Sequence, residues 1–151
     1  MVSRFEKFTY AISEINRYWH IIASEEMSKY GLKGPFAMYL TVLYRHSDGV
    51  TSVKLGELCD KNKADVSRAV AALEEKGLVT RKTNNNSIYR AKIVLTKEGI
   101  DAAEKVQKAA ARAVEMGGNG LSEERREIFY EVLESIALNL KKVCDSGLEK
   151  Q

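Results

Sequence analysis

Apolar residues near the start of the chain recur at alternating spacings of three and four positions. The members of this seam are Phe5, Phe8, Ile12, Ile15, Trp19 and Ile22. Such a heptad pattern predicts one long helix over residues 4–30, which Gly31 ends. A single strict seam needs a partner helix, in the same chain or in a second copy. These six residues are therefore candidates for dimerisation.

Two shorter helices are predicted next. The first covers about 35–46, with a proline in its first turn. The second begins at a cap on Thr51 or Ser52 and reaches Cys59. A tight turn of about three residues leads into a further helix. The helix that ends at Cys59, the tight turn and the helix that follows are together typical of a helix-turn-helix.

The helix after the tight turn has the clearest pattern in the chain. Asn62 is a good N-cap, and Asp65 stands at the third position in a capping-box arrangement. One apolar stripe at i, i+3, i+4 and i+7 predicts the buried face; it consists of Val66, Ala69, Val70 and Leu73. The opposite face then shows Ala64, Arg68, Ala71 and Glu75. Gly77 ends this helix.

The pattern changes to period two after the glycine. A strand is predicted over 78–82, a polar turn over 83–87 and a return strand after it. On the return strand, Tyr89, Ala91, Ile93 and Leu95 are expected to face one way, and Arg90 and Lys92 the other. One apolar face and one basic face indicate a half-buried hairpin, so the helix-turn-helix becomes a winged helix.

Two helices complete the predicted fold. Thr96 caps the first, which runs to about Met116, and Ser122 caps the second. The last helix carries a near-heptad stripe, in which Phe129, Leu133, Ile136 and Leu140 are further dimerisation candidates. The predicted class is mainly α with a small two- or three-stranded β wing. It is a winged helix-turn-helix flanked by long N- and C-terminal dimerisation helices.

Charge is concentrated in the middle of the chain. Residues 54–92 hold nine basic and five acidic side chains, whereas residues 1–53 have a net charge of +1 and residues 93–151 of −2. A basic centre between neutral and acidic flanks suggests a local polyanion site, although a merely solvated basic face is the alternative. No apolar run approaches the length of a membrane-spanning helix.

The predicted winged helix supplies candidate DNA contacts. Alanines on the exposed face let the fourth helix sink into a major groove, where Arg68 can reach guanine by a bidentate bond. The helix start suits phosphate, and the basic hairpin edge suits phosphate or the minor groove. The candidate DNA-binding residues are Asn62, Lys63, Asp65, Ser67, Arg68, Arg81, Lys82, Asn85, Arg90 and Lys92. The alternative is a winged-helix module that binds protein without specific DNA binding.

Three segments resemble the multiple-antibiotic-resistance regulator (MarR) family. Residues 63–81 resemble the family's recognition helix running into L-E-x-K-G-L-V-x-R, and residues 95–99 are similar to its L-T-x-x-G. Residues 121–124 resemble the start of its last helix. The ordered set covers essentially the whole chain. One departure lies in the wing, where Ser87 and Tyr89 stand in place of the family's Asp-x-Arg.

The resemblance implies a bacterial, cytoplasmic transcription regulator that binds a pseudo-palindromic operator as a homodimer, acting as a ligand-responsive repressor. It implies a dimerisation segment 1–34, a DNA-binding lobe 35–96 and C-terminal dimerisation helices 97–151. It also suggests a small aromatic or anionic effector between the dimer helices and the DNA-binding lobes. The candidate lining residues are Arg17, Trp19, His20, Tyr39 and Tyr44.

Other chemistry is not indicated by the sequence. His20 and His46 lack a second histidine or cysteine at i+3 or i+4, so no metal site is predicted. Cys59 shares a face with Leu55, which favours a core cysteine over an oxidant sensor. Two cysteines form no disulfide framework, which fits a reducing cytosol. No catalytic constellation or cofactor motif stands out, so an enzyme is not predicted.

Overall fold

A computed structural model of the chain describes residues 2–83 and 90–148. It contains eight elements in the described ranges, and they follow the predicted order. They are α1 (Arg4–Ser28), α2 (Phe36–Arg45), α3 (Ser52–Cys59), α4 (Lys63–Glu75), β1 (Val79–Lys82), β2 (Lys92–Leu95), α5 (Lys97–Gly117) and α6 (Glu123–Ser146). The predicted class, mainly α with a small β wing, is confirmed.

The chain divides into two compact units, Met1–Ala111 and Arg112–Gln151. The first unit holds α1 to α4, the wing and most of α5. The second holds the end of α5 and all of α6. The division at residues 34 and 96 concerns functional segments, and it stays a prediction.

Side-chain caps start α3, α4 and α6 at predicted residues, with Thr51 as the cap of α3, and Ser3 adds an unpredicted cap before α1. The side chains of Ser3, Thr51 and Ser122 each accept a hydrogen bond from the backbone N–H three residues on. Asn62 does the same for α4, with its Oδ1 2.8 Å from the backbone nitrogen of Asp65. The capping box predicted there is only half formed, because the Asp65 carboxylate accepts from Arg68 instead.

The core of the first unit is built around α4. The predicted stripe of Val66, Ala69, Val70 and Leu73 is buried, and it packs in one cluster with residues of α2, α3 and β2. Leu40, Leu43, Leu55 and Ile93 belong to this cluster, and each is at most 1% exposed. The helix-turn-helix is therefore held by apolar contacts on one side of α4 only.

The wing is a two-stranded antiparallel sheet with one additional bridge. β1 and β2 pair from Val79 opposite Leu95 to Lys82 opposite Lys92, and Val50 forms a single bridge with Ile93. The predicted alternation along the return strand is wrong at Val94, which is 6% exposed. The turn before α3 covers it, since a Cβ on Gly49 would lie 2.6 Å from Val94 Cγ1.

Thr96 joins the end of α4 to the start of α5. Its Oγ1 donates to the Gly77 carbonyl oxygen at 2.6 Å and accepts from the Gly99 N–H at 3.1 Å. Its own backbone N–H donates to the Leu78 carbonyl oxygen at 3.0 Å. Gly99 lets α5 approach the backbone just before β1, because a Cβ at this position would collide with the Leu78 carbonyl oxygen. The predicted cap is confirmed, and the L-T-x-x-G pattern has a physical basis.

The two longest helices leave much apolar surface uncovered. In α1 only Met27 is buried, while Phe5, Ile12 and Ile15 are 73%, 41% and 47% exposed. In α6 no described residue is buried. Neither helix, nor any other in the described ranges, is long and apolar enough to cross a membrane.

Replacing Gly99 by alanine is expected to destabilise the fold by about 1–3 kcal/mol, because the added methyl group overpacks the contact with Leu78. Gly117→Ala is the matched control, since a Cβ there meets nothing within 4 Å. The higher helix propensity of alanine is expected to raise the free energy of unfolding by about 0.5–1 kcal/mol. Urea unfolding of both variants at one protein concentration measures the difference. Equal free energies of unfolding would contradict the close approach.

Candidate nucleic-acid interface

The exposed face of α4 is the one that the apolar stripe predicts. Ala64, Arg68, Ala71 and Glu75 are all exposed, opposite the buried stripe. The Arg68 side chain is 73% exposed, and it stands between two alanines one turn away on either side. Small side chains around one long cation let a helix backbone approach the floor of a major groove.

The start of α4 provides groups that suit phosphate. Lys61 and Lys63 flank the Asn62 cap, and all three residues are exposed. The first N–H groups of a helix have no partner within the helix, and the helix dipole adds positive potential there. Backbone and side-chain donors therefore converge at one end of the exposed face.

Two of the predicted DNA-binding cations are engaged in ion pairs within the chain. Arg68 Nη2 lies 2.5 Å from Asp65 Oδ1, and Arg81 Nε lies 2.6 Å from Glu74 Oε1. The second pair ties β1 to the last turn of α4. The first pair was not predicted from the sequence. Its i, i+3 spacing could have indicated it, because residues three apart are neighbours on a helix surface.

The end of the wing farther from α5 brings like charges together. Lys82 and Lys92 are directly opposite each other in the β1–β2 register, and both are exposed. Like charges at opposite positions of a strand pair destabilise it, unless an anion lies between or above them. Arg90 is exposed two residues before Lys92 in the chain. This part of the wing is therefore suited to phosphate.

The remaining DNA-binding candidates fall into two groups. Ser67 is exposed on α4 beside Arg68. Asn85, on the predicted hairpin tip, lies outside the described residues, as do Ser87 and Tyr89, which replace the family's Asp-x-Arg. Within the described ranges, five cations at the start of α4 and on the wing have no carboxylate within 4.0 Å; they are Lys61, Lys63, Lys82, Arg90 and Lys92. Their positive potential is uncompensated by a direct partner.

The candidate effector residues do not line a single cavity in the described part of the chain. Arg17 and His20 line an open groove of about 490 Å³ along α1, and Trp19 is half-buried on the same helix. Tyr39 is buried beside Phe36, against a second cavity of about 640 Å³ next to α4. The Tyr44 hydroxyl lies 3.3 Å from Glu104 Oε1. The effector pocket stays a prediction.

Cys59 lies in the apolar core. It is 3% exposed, and burial raises the pKa of its thiol above the ordinary value, although Lys61 acts in the opposite direction. At neutral pH a raised pKa leaves less of the nucleophilic thiolate. Cys144 is exposed on α6 in the other unit. The geometry of Cys59 is that of a structural cysteine.

Comparisons with known proteins agree with this architecture. The model of the MarR family matches residues 30–86, which include α2, α3, α4 and β1. The resemblance to the MarR family that the sequence predicts is therefore confirmed over this segment. No curated protein matches the chain significantly.

Solved structures share the fold along nearly the whole chain. A MarR transcriptional regulator from Methanosarcina mazei is 24% identical, with a TM-score of 0.80 over 95% of this chain and 94% of that one. The MepR–DNA complex of S. aureus is 22% identical, with a TM-score of 0.74 over 87% and 97%. A MarR-family regulator from Silicibacter pomeroyi is 18% identical, with a TM-score of 0.71 over 97% and 94%.

Replacing Lys92 by glutamate is expected to have opposite effects on stability and on DNA affinity. It creates an opposite-charge pair with Lys82, which adds about 0.2–1 kcal/mol to the free energy of unfolding. It also removes a positive charge from the wing, so affinity for duplex DNA falls and depends less steeply on salt. Chemical unfolding and fluorescence anisotropy measure the two effects.

Lys108→Glu makes the same charge change on an exposed position of α5. This control is expected to give no gain in stability. A loss of stability in Lys92→Glu would contradict the like-charge contact with Lys82, and unchanged DNA binding would contradict the phosphate assignment at the wing.

Cys59 is expected to resist thiol reagents in the folded chain because its thiol is buried and mostly protonated. The Cys144→Ser variant leaves Cys59 as the single thiol of the chain. Its reaction with a coloured disulfide reagent at neutral pH is expected to be slow, and to become fast on addition of denaturant. A fast reaction of the folded variant would instead support an oxidant sensor.

Proposed function

We propose that the chain is a transcriptional regulator that binds double-stranded DNA in a sequence-specific manner and has no enzymatic activity. The observation that carries the proposal is the exposed face of α4, with Arg68 at its centre and alanines around it. Uncompensated cations lie at the α4 start and on the wing of the same unit. The similarity of fold to MepR, which is known in complex with DNA, adds support.

In this proposal α4 enters the major groove. Arg68 donates two hydrogen bonds to the O6 and N7 atoms of a guanine. Asn62, Lys63 and the N–H groups of the first turn bind phosphate and fix the position of the helix. Lys82, Arg90 and Lys92 bind the backbone or the neighbouring minor groove, in place of the family's wing arginine.

The proposed assembly is a homodimer. An isolated helix in water is marginally stable, and most helices are stabilised by packing of an apolar face. The described residues of α6 include none that is buried, and the seam of α1 is largely exposed. A second copy covering these faces gives a two-fold axis, so the operator is a pseudo-palindrome with half-sites about one helical turn apart.

We propose further that the dimer represses transcription by occupying the operator in a bacterial cytoplasm. A small aromatic or anionic effector near Arg17, Trp19, His20, Tyr39 and Tyr44 would relieve repression by favouring a conformation that binds DNA poorly. The alternative, a winged helix that binds protein, predicts no sequence preference among duplexes.

The experiment that tests this function compares Arg68→Ala with Arg90→Ala. A sequence is first enriched from a randomised duplex library, and anisotropy is then measured on that duplex and on a scrambled one over a salt series. Arg68→Ala is expected to cost about 1–3 kcal/mol per half-site and to relax preference at one position. Arg90→Ala is expected to weaken both duplexes equally and to reduce the salt slope by about two per dimer.

Two results would contradict the proposal in different ways. If the wild-type chain enriches no sequence, the protein-binding alternative gains support. If Arg68→Ala weakens both duplexes equally and leaves the sequence preference intact, Arg68 is a phosphate ligand and a different face of α4 reads the bases.

The homodimer is tested with Ile15→Asp. Ile15 is 47% exposed in the single chain, so the substitution leaves the core intact but places a charge in the proposed interface. It is expected to turn a micromolar dimer into a monomer, as measured by light scattering. Val53→Asp, at a position 72% exposed on α3, is the control and is expected to remain a dimer. A wild-type monomer would contradict the assembly.

A further inference from the structure

The guanidinium of Arg68 is held by a neighbour on its own helix. Asp65 lies three residues earlier, so the two side chains share one face of α4. Side chains on a helix lean toward its N-terminus, which brings Arg68 back over Asp65. Arg68 Nη2 donates to Asp65 Oδ1 at a distance of 2.5 Å.

Asp65 is the better fixed of the two partners. Its backbone N–H donates to the Asn62 side chain at 2.8 Å, within the capped first turn. Its side chain is 42% exposed, compared with 73% for Arg68. A long and exposed arginine is thus anchored at its tip by a short carboxylate near the helix start.

The bond to Asp65 leaves Arg68 able to read a base. A guanidinium carries five N–H donors, and two of them are on Nη2. Whichever of these two Asp65 accepts, one edge of the group keeps two parallel N–H bonds, either on Nη1 and Nη2 or on Nε and Nη2. Two parallel donors are what the O6 and N7 atoms of guanine require.

Asp65 also has a disadvantage for a DNA-binding helix. It is the single acidic residue among residues 63–70, and its charge repels phosphate. A carboxylate at this place lowers the affinity for any duplex. Its benefit therefore has to be sought in discrimination between sequences, because specificity is a difference between affinities.

We infer that Asp65 is a positioning residue that sets sequence specificity by holding Arg68 in the conformation that reads guanine. The restraint removes rotamer freedom before binding, so the guanine contact costs less ordering, while phosphate repulsion weakens non-specific binding. Each half-site then contains a G·C pair whose preference depends on Asp65. This inference rests on the proposed function.

The test uses the full chain and the enriched and scrambled duplexes. Asp65→Asn keeps the size of the side chain and removes its charge. It is expected to reduce the preference for G at the position read by Arg68 by about twofold to tenfold per half-site. At the same time, affinity for the scrambled duplex rises. Asp65→Glu retains a carboxylate and is expected to restore most of the preference.

Two controls separate positioning from simple charge. Glu98→Gln removes a charge from an exposed position on α5, outside the proposed DNA-binding face, and is expected to leave the preference for G unchanged. In the Arg68→Ala background, Asp65→Asn is expected to cause no further loss of preference. Circular dichroism checks that α4 remains folded in each variant.

The possible results are distinct. If Asp65→Asn raises affinity for both duplexes by one factor, or if Asp65→Glu fails to restore the preference, Asp65 only repels phosphate and the inference is wrong. If the wild-type chain shows a preference for G that Arg68→Ala abolishes and Asp65→Asn does not change, the inference alone fails. If the wild-type chain enriches no sequence, the proposed function fails and the inference fails with it.

Discussion

The burial of one stripe of α4 determines the geometry of the whole candidate interface. Val66, Val70 and Leu73 are at most 1% exposed, and truncation of such side chains typically costs several kcal/mol. This contact fixes the rotation of the helix about its axis. Arg68 lies outward as a consequence of what is buried, and no separate interaction is needed to orient the exposed face.

Much of the fold could be predicted because it depends on local chemistry. Asn62 and Thr96 each accept a capping hydrogen bond from the backbone N–H three residues on, and the α4 stripe follows from helical periodicity. Val94 could not be placed in this way, because its burial depends on a turn more than 40 residues earlier in the chain. Period-two alternation describes a strand covered on one face, and here both faces are covered near β2.

The candidate site was predictable in composition more than in arrangement. Net charge along the chain locates the basic centre, but it does not show which cations have partners. Arg81 is paired with Glu74 across seven positions in the chain, whereas Lys82, its neighbour, meets another lysine. Adjacent residues on one strand point to opposite faces, so two neighbouring cations can have entirely different surroundings.

The hydrogen bonds of Thr96 restrict the motion of α4 relative to α5. A single hydroxyl joins the last residue of the turn after α4 to the first turn of α5, and the carbonyl of Leu78 contacts α5 at Gly99. Hydrogen bonds and close packing at the same place leave little freedom for α4 to tilt while α5 stays still. The start of α5, the residues just before β1 and α4 are thus expected to move together as one rigid group. A displacement applied at the start of α5 would therefore move α4 with it, without changing the shape of α4.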